Sequence, residues 1–379
     1  MNKTDFDVAV IGGGAGGLAA SICSAQRSFK TALIEGNSRV GKKLIVTGNG
    51  QGNIANAKLS PDCYNDSFVM KIFEKTPLEA LLEFFKSAGI ETVQKPDGRI
   101  YPLGLQASAV LDNLRQKAFE LGVSEICGRK INKLEKKDGI FILTSDSAVF
   151  TAKAVIAACG GVASPNLSCG AGYQLLRAFG HKMTKLLPSL VQIKTDKSMI
   201  KGLKGVKLYD IIIGFNGKYY TGDLIFTDYG ISGSATFDAS SDISRYLSIG
   251  GKAKITIDLL PDIKQKELTQ MLLRRKKLFS QRSAYSLLTG ITAKQMINNI
   301  MSACLIDRDI FIKDISDEKI ESNAAVIKQF KLEVTGTLSL NEAQVTIGGI
   351  EVEDFNDNLM SKKCKDLYAC GEMLNIDGK

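Results

Sequence analysis

Residues 7–17 read D-V-A-V-I-G-G-G-A-G-G, a short apolar run that breaks into a G-x-G-x-x-G turn formed by Gly12, Gly14 and Gly17. Three features of its surroundings make this turn informative. The apolar run predicts a buried strand. Leu18 to about Ser28 predicts a helix, and Lys30 to Glu35 predicts a second strand. Strand, glycine turn, helix and strand within about 30 residues make a βαβ unit and so a parallel sheet. An acidic residue, Glu35, closes the second strand about 20 residues beyond the turn. Each glycine has a task in such a unit. Gly12 allows the tight turn, Gly14 lets backbone approach a pyrophosphate, and Gly17 lets the helix pack on the strand. The helix N-terminus, with Ala15 and Gly16 in its first turn, offers unpaired N–H groups and a positive dipole end to phosphate. Glu35 can accept hydrogen bonds from a ribose, with Gly36 beside it. The stretch therefore reads as a dinucleotide-binding fingerprint.

The rest of the chain bounds what can surround this unit. Its 379 residues suggest two to three domains at about 150 residues each. Helical spacing of apolar residues is expected over 66–88, 108–121, 173–179, 264–279 and 292–305. Residues 124–150 read as strand–turn–strand around Lys137-Asp138-Gly139. Residues 190–260 read as short strands punctuated by glycine, and strand texture returns at 324–350. No run of 18 apolar residues is present, so no membrane-spanning helix is expected. The N-terminus does not read as a signal peptide.

There is one histidine, His181, which excludes a multi-histidine metal site and disfavours a histidine-based triad; no metal is expected. His181 follows a helix and suits a C-terminal cap. Eight cysteines are scattered without a C-x-x-C pair, which predicts reduced thiols and a cytoplasmic location. The charge of +9 invites nucleic acid, but the basic residues are dispersed. The tightest cluster, Arg274 to Lys277, continues a helix and lacks interleaved aromatics. A lysine-rich solvated surface is the simpler reading, with no nucleic-acid or membrane partner expected. The oligomeric state is left open.

Further motifs separate the classes of dinucleotide. Thr151 to Gly161 (TAKAVIAACGG) and Leu367 to Glu372 (LYACGE) are strands running into glycine turns. They resemble the two secondary motifs of flavoproteins of the glutathione-reductase type. Gly41 to Asn56 (GKKLIVTGNGQGNIAN) resembles the G-(R/K)-K-L-…-T-G-(N/G)-G-R-C-N signature of bacterial aminoacetone-oxidase-like and bile-acid dehydro-reductase-like flavoproteins. Gly98 to Pro102 (GRIYP), Phe226 to Gly233 (FTDYGISG), Ile257 to Asp262 (IDLLPD) and Val345 to Ile350 (VTIGGI) resemble other motifs of that family, in order along the chain. Departures are Gln51-Gly52 for the family's Arg-Cys, Cys159 for a threonine, and Glu372 for the usual aspartate. The family pattern continues beyond its G-E-x-L-x-x-D-G motif into a helix that cradles flavin. This chain stops at Lys379 inside that pattern and is expected to be truncated or incomplete.

The resemblance implies an α/β fold: a discontinuous, Rossmann-like FAD domain (1–189 and 333–379) with an insert (190–332). The insert would be barrel-like over 190–262 and 318–332 and helical over 263–317, and would form the other wall of the active site. FAD is the implied cofactor. The implied contacts are Gly12, Gly14, Ala15, Gly16, Gly17, Glu35, Gly36, Lys42, Lys43, Gly48, Asn49, Gly50, Asn53, Ile131, Cys159, Gly160, Gly161, Gly371 and Glu372. Arg99, Tyr101, Tyr229 and Cys159 are the candidates facing substrate. A flavin ring carries hydride itself, so few acid–base side chains are required. No second G-x-G-x-x-G occurs, so a dedicated nicotinamide domain is absent, and either NAD(P)H as a transient substrate or oxygen remains open as redox partner. The expected function is an FAD-dependent oxidoreductase acting on a small organic molecule. An RNA-modifying flavoprotein and a non-catalytic flavin-binding protein are the alternatives.

Overall fold

A computed structural model of the chain describes residues 4–167 and 170–378. Cys169 and Lys379 therefore lie outside the described residues. The chain divides into two compact units, Met1–Leu186 with Val345–Lys379, and Leu187–Gln344.

The first unit opens with β1 (Phe6–Ile11), α1 (Ala15–Gln26) and β2 (Thr31–Ile34). A glycine-rich loop and the short β3 (Ala55–Asn56) follow, then α2 (Phe68–Lys75) and α3 (Leu78–Ser87). Sequence spacing suggests helix throughout 66–88, but the structure interrupts it at Thr76-Pro77. Proline has no N–H and disfavours helix in the residue before it. Next come β4 (Thr92–Gln94), β5 (Arg99–Pro102), α4 (Ala107–Glu120), β6 (Ser124–Ile126), β7 (Ile131–Lys137), β8 (Ile140–Ser145), β9 (Val149–Ala157) and α5 (Ala171–Arg177). Asp138 and Gly139 join β7 to β8 with φ of 50° and 81°. These positive values define a tight hairpin whose twist matches its strands.

The second unit holds β10 (Leu187–Ser189), β11 (Ile193–Thr195), β12 (Lys207–Phe215), β13 (Lys218–Phe226), β14 (Gly230–Ser232), α6 (Ser234–Ser248) and β15 (Lys254–Asp258). It continues with α7 (Gln265–Leu278), α8 (Lys294–Ala303), α9 (Asp317–Lys328) and β16 (Phe330–Thr337). Six strands close an antiparallel barrel in the order β11-β14-β13-β12-β15-β16. Its core runs from Ile193, Ile213 and Phe226 into Leu268, Ile297 and Ile320 of the helices.

Three details differ from the sequence reading. The 190–260 stretch contains a helix, α6, whose buried Ala235, Ala239 and Ile243 share one face. Its serines obscure that spacing, yet buried Ser240 and Ser244 bond to the carbonyls of Phe237 and Pro188. Residues 318–328, expected as barrel strand, are helical: Ser316 caps α9 by accepting from Lys319 N–H, and Ile320, Ala324 and Ile327 turn inward. The last barrel strand begins only at Phe330. Residues 333–344 belong with the barrel rather than the nucleotide unit, because β16 pairs with both β11 and β15.

The chain returns to the first unit through β17 (Val345–Ile347) and β18 (Leu367–Ala369). The main sheet has the order β6-β2-β1-β9-β8-β7, with β18 also on β9. β6, β2, β1, β9 and β18 are mutually parallel, and the β7–β8–β9 meander is antiparallel. β9 is long enough to pair with β8 through residues 149–152 and with β18 through 155–157 along one edge. The C-terminal segment is thereby inserted beside the strand that neighbours β1. This is a doubly wound α/β sheet of Rossmann type assembled from both ends of the chain, and the barrel unit is the insert.

Candidate functional site

Parallel strands place their carboxyl ends at one edge of the sheet, where open α/β folds bind ligands. Four of them end there in chemically distinctive turns. β1 runs into Gly12–Gly17, β2 into Glu35-Gly36, β9 into Ala158 to Gly161, and β18 into Cys370-Gly371-Glu372. The ladder extends into each turn: Gly12 N–H donates to Ile34 O (2.8 Å), Ala158 N–H to Ile11 O (2.8 Å) and Cys370 N–H to Ala157 O (2.9 Å).

The glycine turn meets the steric demands set out above. Gly12 has a φ of 106°, and a Cβ there would lie 2.4 Å from Ala158 O. A Cβ on Gly17 would lie 1.8 Å from Gly12 O, so α1 packs on the turn only without a side chain. At Gly14 a Cβ would meet nothing within 4 Å, so this backbone faces open space. Gly14 is the N-cap of α1, no side chain caps the helix, and its first turn carries no acid. The leading N–H groups of a helix have no partner within it. Here they form an uncapped, positively polarised end suited to a diphosphate.

Glu35 is half-buried and organises the neighbouring end of the site. Its Oε2 accepts from Gly13 N–H (2.7 Å), and its Oε1 accepts from the Asn37 N–H (2.7 Å) and side-chain amide (2.9 Å). Each carboxylate oxygen has more than one lone pair, so capacity remains for ribose hydroxyls. Lys42 Nζ donates to Asn37 Oδ1 (3.2 Å).

The 41–56 loop is anchored to the same turn, since Gly41 N–H donates to Gly13 O (2.8 Å). Adjacent lysines then diverge. Lys42 joins the Glu35 cluster, whereas Lys43 Nζ contacts Glu372 Oε2 at 2.5 Å, across 329 residues of sequence. Glu372 Oε1 accepts from Thr346 N–H (2.8 Å), and Thr346 Oγ1 accepts from the N–H groups of Val162 (2.9 Å) and Ala163 (2.8 Å). Thr346 thus ties the β9 turn to the β18 turn. A Cβ on Gly161 would lie 2.4 Å from Thr346 Oγ1 and 2.9 Å from Glu372 Oε1, which accounts for glycine there.

Several implied contacts sit apart from this arrangement. Gly48, Asn49 and Gly50 form an exposed loop tip with φ values of 56°, 54° and 84°. Asn53 is exposed beyond it. Ile131 is 2% exposed, its side chain packed in the core with Leu134 and Phe141. Among the substrate-facing candidates, Arg99 is exposed and paired with Asp97 (2.5 Å). Tyr101 is buried, its ring 3.3 Å from the position a Gly48 Cβ would take. Cys159 bonds through Sγ to Ile11 O (3.3 Å), and a Cβ on Gly172 would lie 2.9 Å from that sulfur. Tyr229 belongs to the barrel unit. Cys370 lies against Gly16, and burial pushes its thiol up to about 11, so it remains protonated at neutral pH.

His181 is buried. Nδ1 donates to Leu176 O (2.8 Å) and Nε2 accepts from Ser361 Oγ (2.8 Å), an assignment that follows from carbonyl oxygen being an acceptor only. It therefore caps α5. Burial holds its pKa below the ordinary imidazole value, with lesser effects from the Leu176 carbonyl, Asp354 and Lys363. In the basic cluster, Arg275 donates to the carbonyls of Ser286 and Thr289 and Lys276 to Asp317. Two of the four charges are thus paired with neighbouring elements of the same unit.

Two residues at the site escape sequence reasoning. Thr346 lies within the V-T-I-G-G-I motif but carries no signal of its own role. Tyr173 follows the Gly170-x-Gly172 step and reads as an ordinary helix residue.

The sheet, its carboxyl-edge turns and the inserted barrel define a nucleotide-binding α/β protein of Rossmann type. A family profile described as "HI0933-like protein Rossmann domain" matches residues 6–379, and the chain belongs to this family. It is 30% identical to the 3-dehydro-bile acid delta(4,6)-reductase of Clostridium scindens over 382 positions, covering 98% of this chain and 93% of the relative. It is 23% identical to the ribosomal RNA dihydrouridine synthase of Escherichia coli K12, covering 98% and 92%. A solved 3-ketosteroid-delta4-(5alpha)-dehydrogenase from Rhodococcus jostii RHA1 aligns at 14% identity and a TM-score of 0.47, covering 99% of this chain and 92% of that one.

Proposed function

We propose that this chain is an FAD-dependent oxidoreductase moving hydride between bound flavin and a small organic substrate. The observation that carries the reading is the convergence of an open, uncapped glycine turn with the Lys43–Glu372 contact at one sheet edge. An adenosine-diphosphate group fits the turn because Gly14 leaves its backbone exposed there. Glu35 orients the ribose, the α1 N–H groups hold the diphosphate, and the β9 and β18 turns hold the other half of the cofactor. When bound, FAD supplies hydride and electron transfer. The chain contributes binding and orientation. Thr346 and Lys43 fix the Glu372 carboxylate, so that it is in place before the cofactor arrives.

The reductase relative makes 3-dehydro bile acids the first substrates to assay. NAD(P)H and oxygen are the second substrates to distinguish. The test is the absorption spectrum of the purified chain, followed by anaerobic NADH or NADPH titration and then air. Flavin bands bleached by a donor and restored by an acceptor support the reading. A colourless protein that also rejects added FAD refutes it. Flavin that no donor reduces would leave a binding protein instead.

The ribosomal RNA relative and the +9 charge favour one alternative, an RNA-modifying flavoprotein. It predicts RNA binding that falls steeply with salt, and weak, salt-insensitive binding removes it.

A further inference from the structure

Buried polar groups in folded proteins are almost always hydrogen-bonded, so each exception asks for a reason. Among the described residues of the nucleotide unit, one buried side-chain polar atom has no partner: the hydroxyl of Tyr173. The residue is 4% exposed, and its ring packs in the core with Met373 and Leu374. Other buried polar side chains of the unit are satisfied, His181, Ser361 and Ser145 among them.

The surroundings of the hydroxyl narrow the cause. Burial is the main force that keeps this phenol protonated, and Glu372, Asp377 and Cys159 add to it, in that order. These groups are all committed elsewhere. Glu372 takes Thr346 N–H and Lys43, Asp377 takes Gly348 N–H through both oxygens, and Cys159 Sγ contacts Ile11 O. The phenol is thus a protonated donor, beside the β9 and β18 turns, with no acceptor of the protein within hydrogen-bonding distance.

We infer that Tyr173 is a cofactor-binding residue whose hydroxyl donates a hydrogen bond to an acceptor atom of the bound flavin. This rests on the FAD reading above. The helix that carries it, α5, begins straight after Gly170 (φ 58°). Without the cofactor the hydroxyl is a local cost of folding. With it, the cost becomes a contact, which biases the site toward the loaded state.

The test is Tyr173→Phe in the full chain, compared with wild type by thermal melting without FAD, by FAD titration and by the visible flavin spectrum. The ring is kept, so the core is kept, and circular dichroism checks it. The expected result has two signs. The variant without FAD melts at or above the wild-type temperature, while its FAD affinity falls about fivefold and the flavin absorption maximum shifts. A purely structural tyrosine would instead lower the melting temperature and leave the spectrum alone. If an internal water already satisfies the hydroxyl, FAD affinity and spectrum stay at wild-type values, and the inference is overturned while the FAD reading stands. If wild type itself binds no flavin, both fail.

Discussion

Gly17 and Gly14 belong to one turn, yet alanine at the two positions should fail in opposite ways. At Gly17 the new Cβ would stand 1.8 Å from Gly12 O and 3.0 Å from Gly12 C. Restoring ordinary contact requires a shift of about 1.5 Å or more. The obstructing atoms are backbone, so no side chain can rotate away. Overpacking costs about 1–3 kcal/mol, and this case belongs at the upper end. At about 2–4 °C per kcal/mol for a unit of this size, Gly17→Ala should melt about 6–12 °C lower. Gly14 has φ −77° and ψ −170°, which alanine adopts freely, and its Cβ would meet nothing within 4 Å. Gly14→Ala should therefore keep or slightly raise the melting temperature, since it restricts the unfolded chain. The added methyl occupies the face offered to the diphosphate, so FAD affinity should fall about tenfold or more, about 1.4 kcal/mol. Differential scanning fluorimetry without cofactor and FAD titration separate the two effects. A Gly17→Ala chain that melts like wild type, or a Gly14→Ala chain that binds FAD like wild type, would refute the assignment of these glycines.

Three other outcomes follow from the geometry. Lys43→Met removes a half-buried ion pair worth about 1 kcal/mol and should loosen the 44–52 loop; limited proteolysis should then cut there faster than in wild type, and equal rates would count against the tie. Lys328 Nζ, with a side chain 12% exposed, reaches Asp258 (2.7 Å) and the carbonyls of Leu260 (2.6 Å) and Ile263 (2.7 Å). Lys328→Met should destabilise the barrel unit by about 3 kcal/mol, and Asp258→Asn added to it should recover part, as chemical denaturation would report. His181, whose folded pKa is lowered by burial, contributes stability that is full above about pH 6.5 and is lost as pH falls toward the folded value. As the only histidine, it accounts for the imidazole part of that slope. His181→Gln should be less stable at pH 8 but show a flatter decline between about pH 6.5 and 5; an unchanged slope would exclude the neutral, buried imidazole.

Much of the nucleotide unit is legible from local rules. A tight glycine turn between an apolar strand and a helix leaves few folds open. The β7–β8 hairpin follows from Asp138-Gly139 because both adopt positive φ there. Legibility fails where local signals compete. α6 hides behind serines, of which Ser240 bonds within the helix and Ser244 to the Pro188 carbonyl outside it, and the short apolar spacing of α9 borders a real strand at Phe330, so the local pattern does not separate the two. Arg99 and Tyr101 look alike as site candidates within one motif. Two residues apart on β5, they would share a face by strand alternation, yet Arg99 at the exposed start of the strand turns to Asp97 while Tyr101 is buried against Gly48, a difference that spacing alone does not give.

The amino-acid order by itself determined the βαβ unit, the glycines that its tight turn requires, and the two later strand–glycine steps. These depend on φ, on side-chain size and on periodicity within a few residues. Tertiary structure alone decided which distant groups meet. Lys43 finds Glu372 because β18 lies beside β9, which lies beside β1. The same pairing lets Thr346 join two turns, and packing buries the Tyr173 hydroxyl with no acceptor within hydrogen-bonding distance. Contacts between residues far apart in sequence depend on packing that no local pattern encodes, and in this protein the candidate site is built from such contacts.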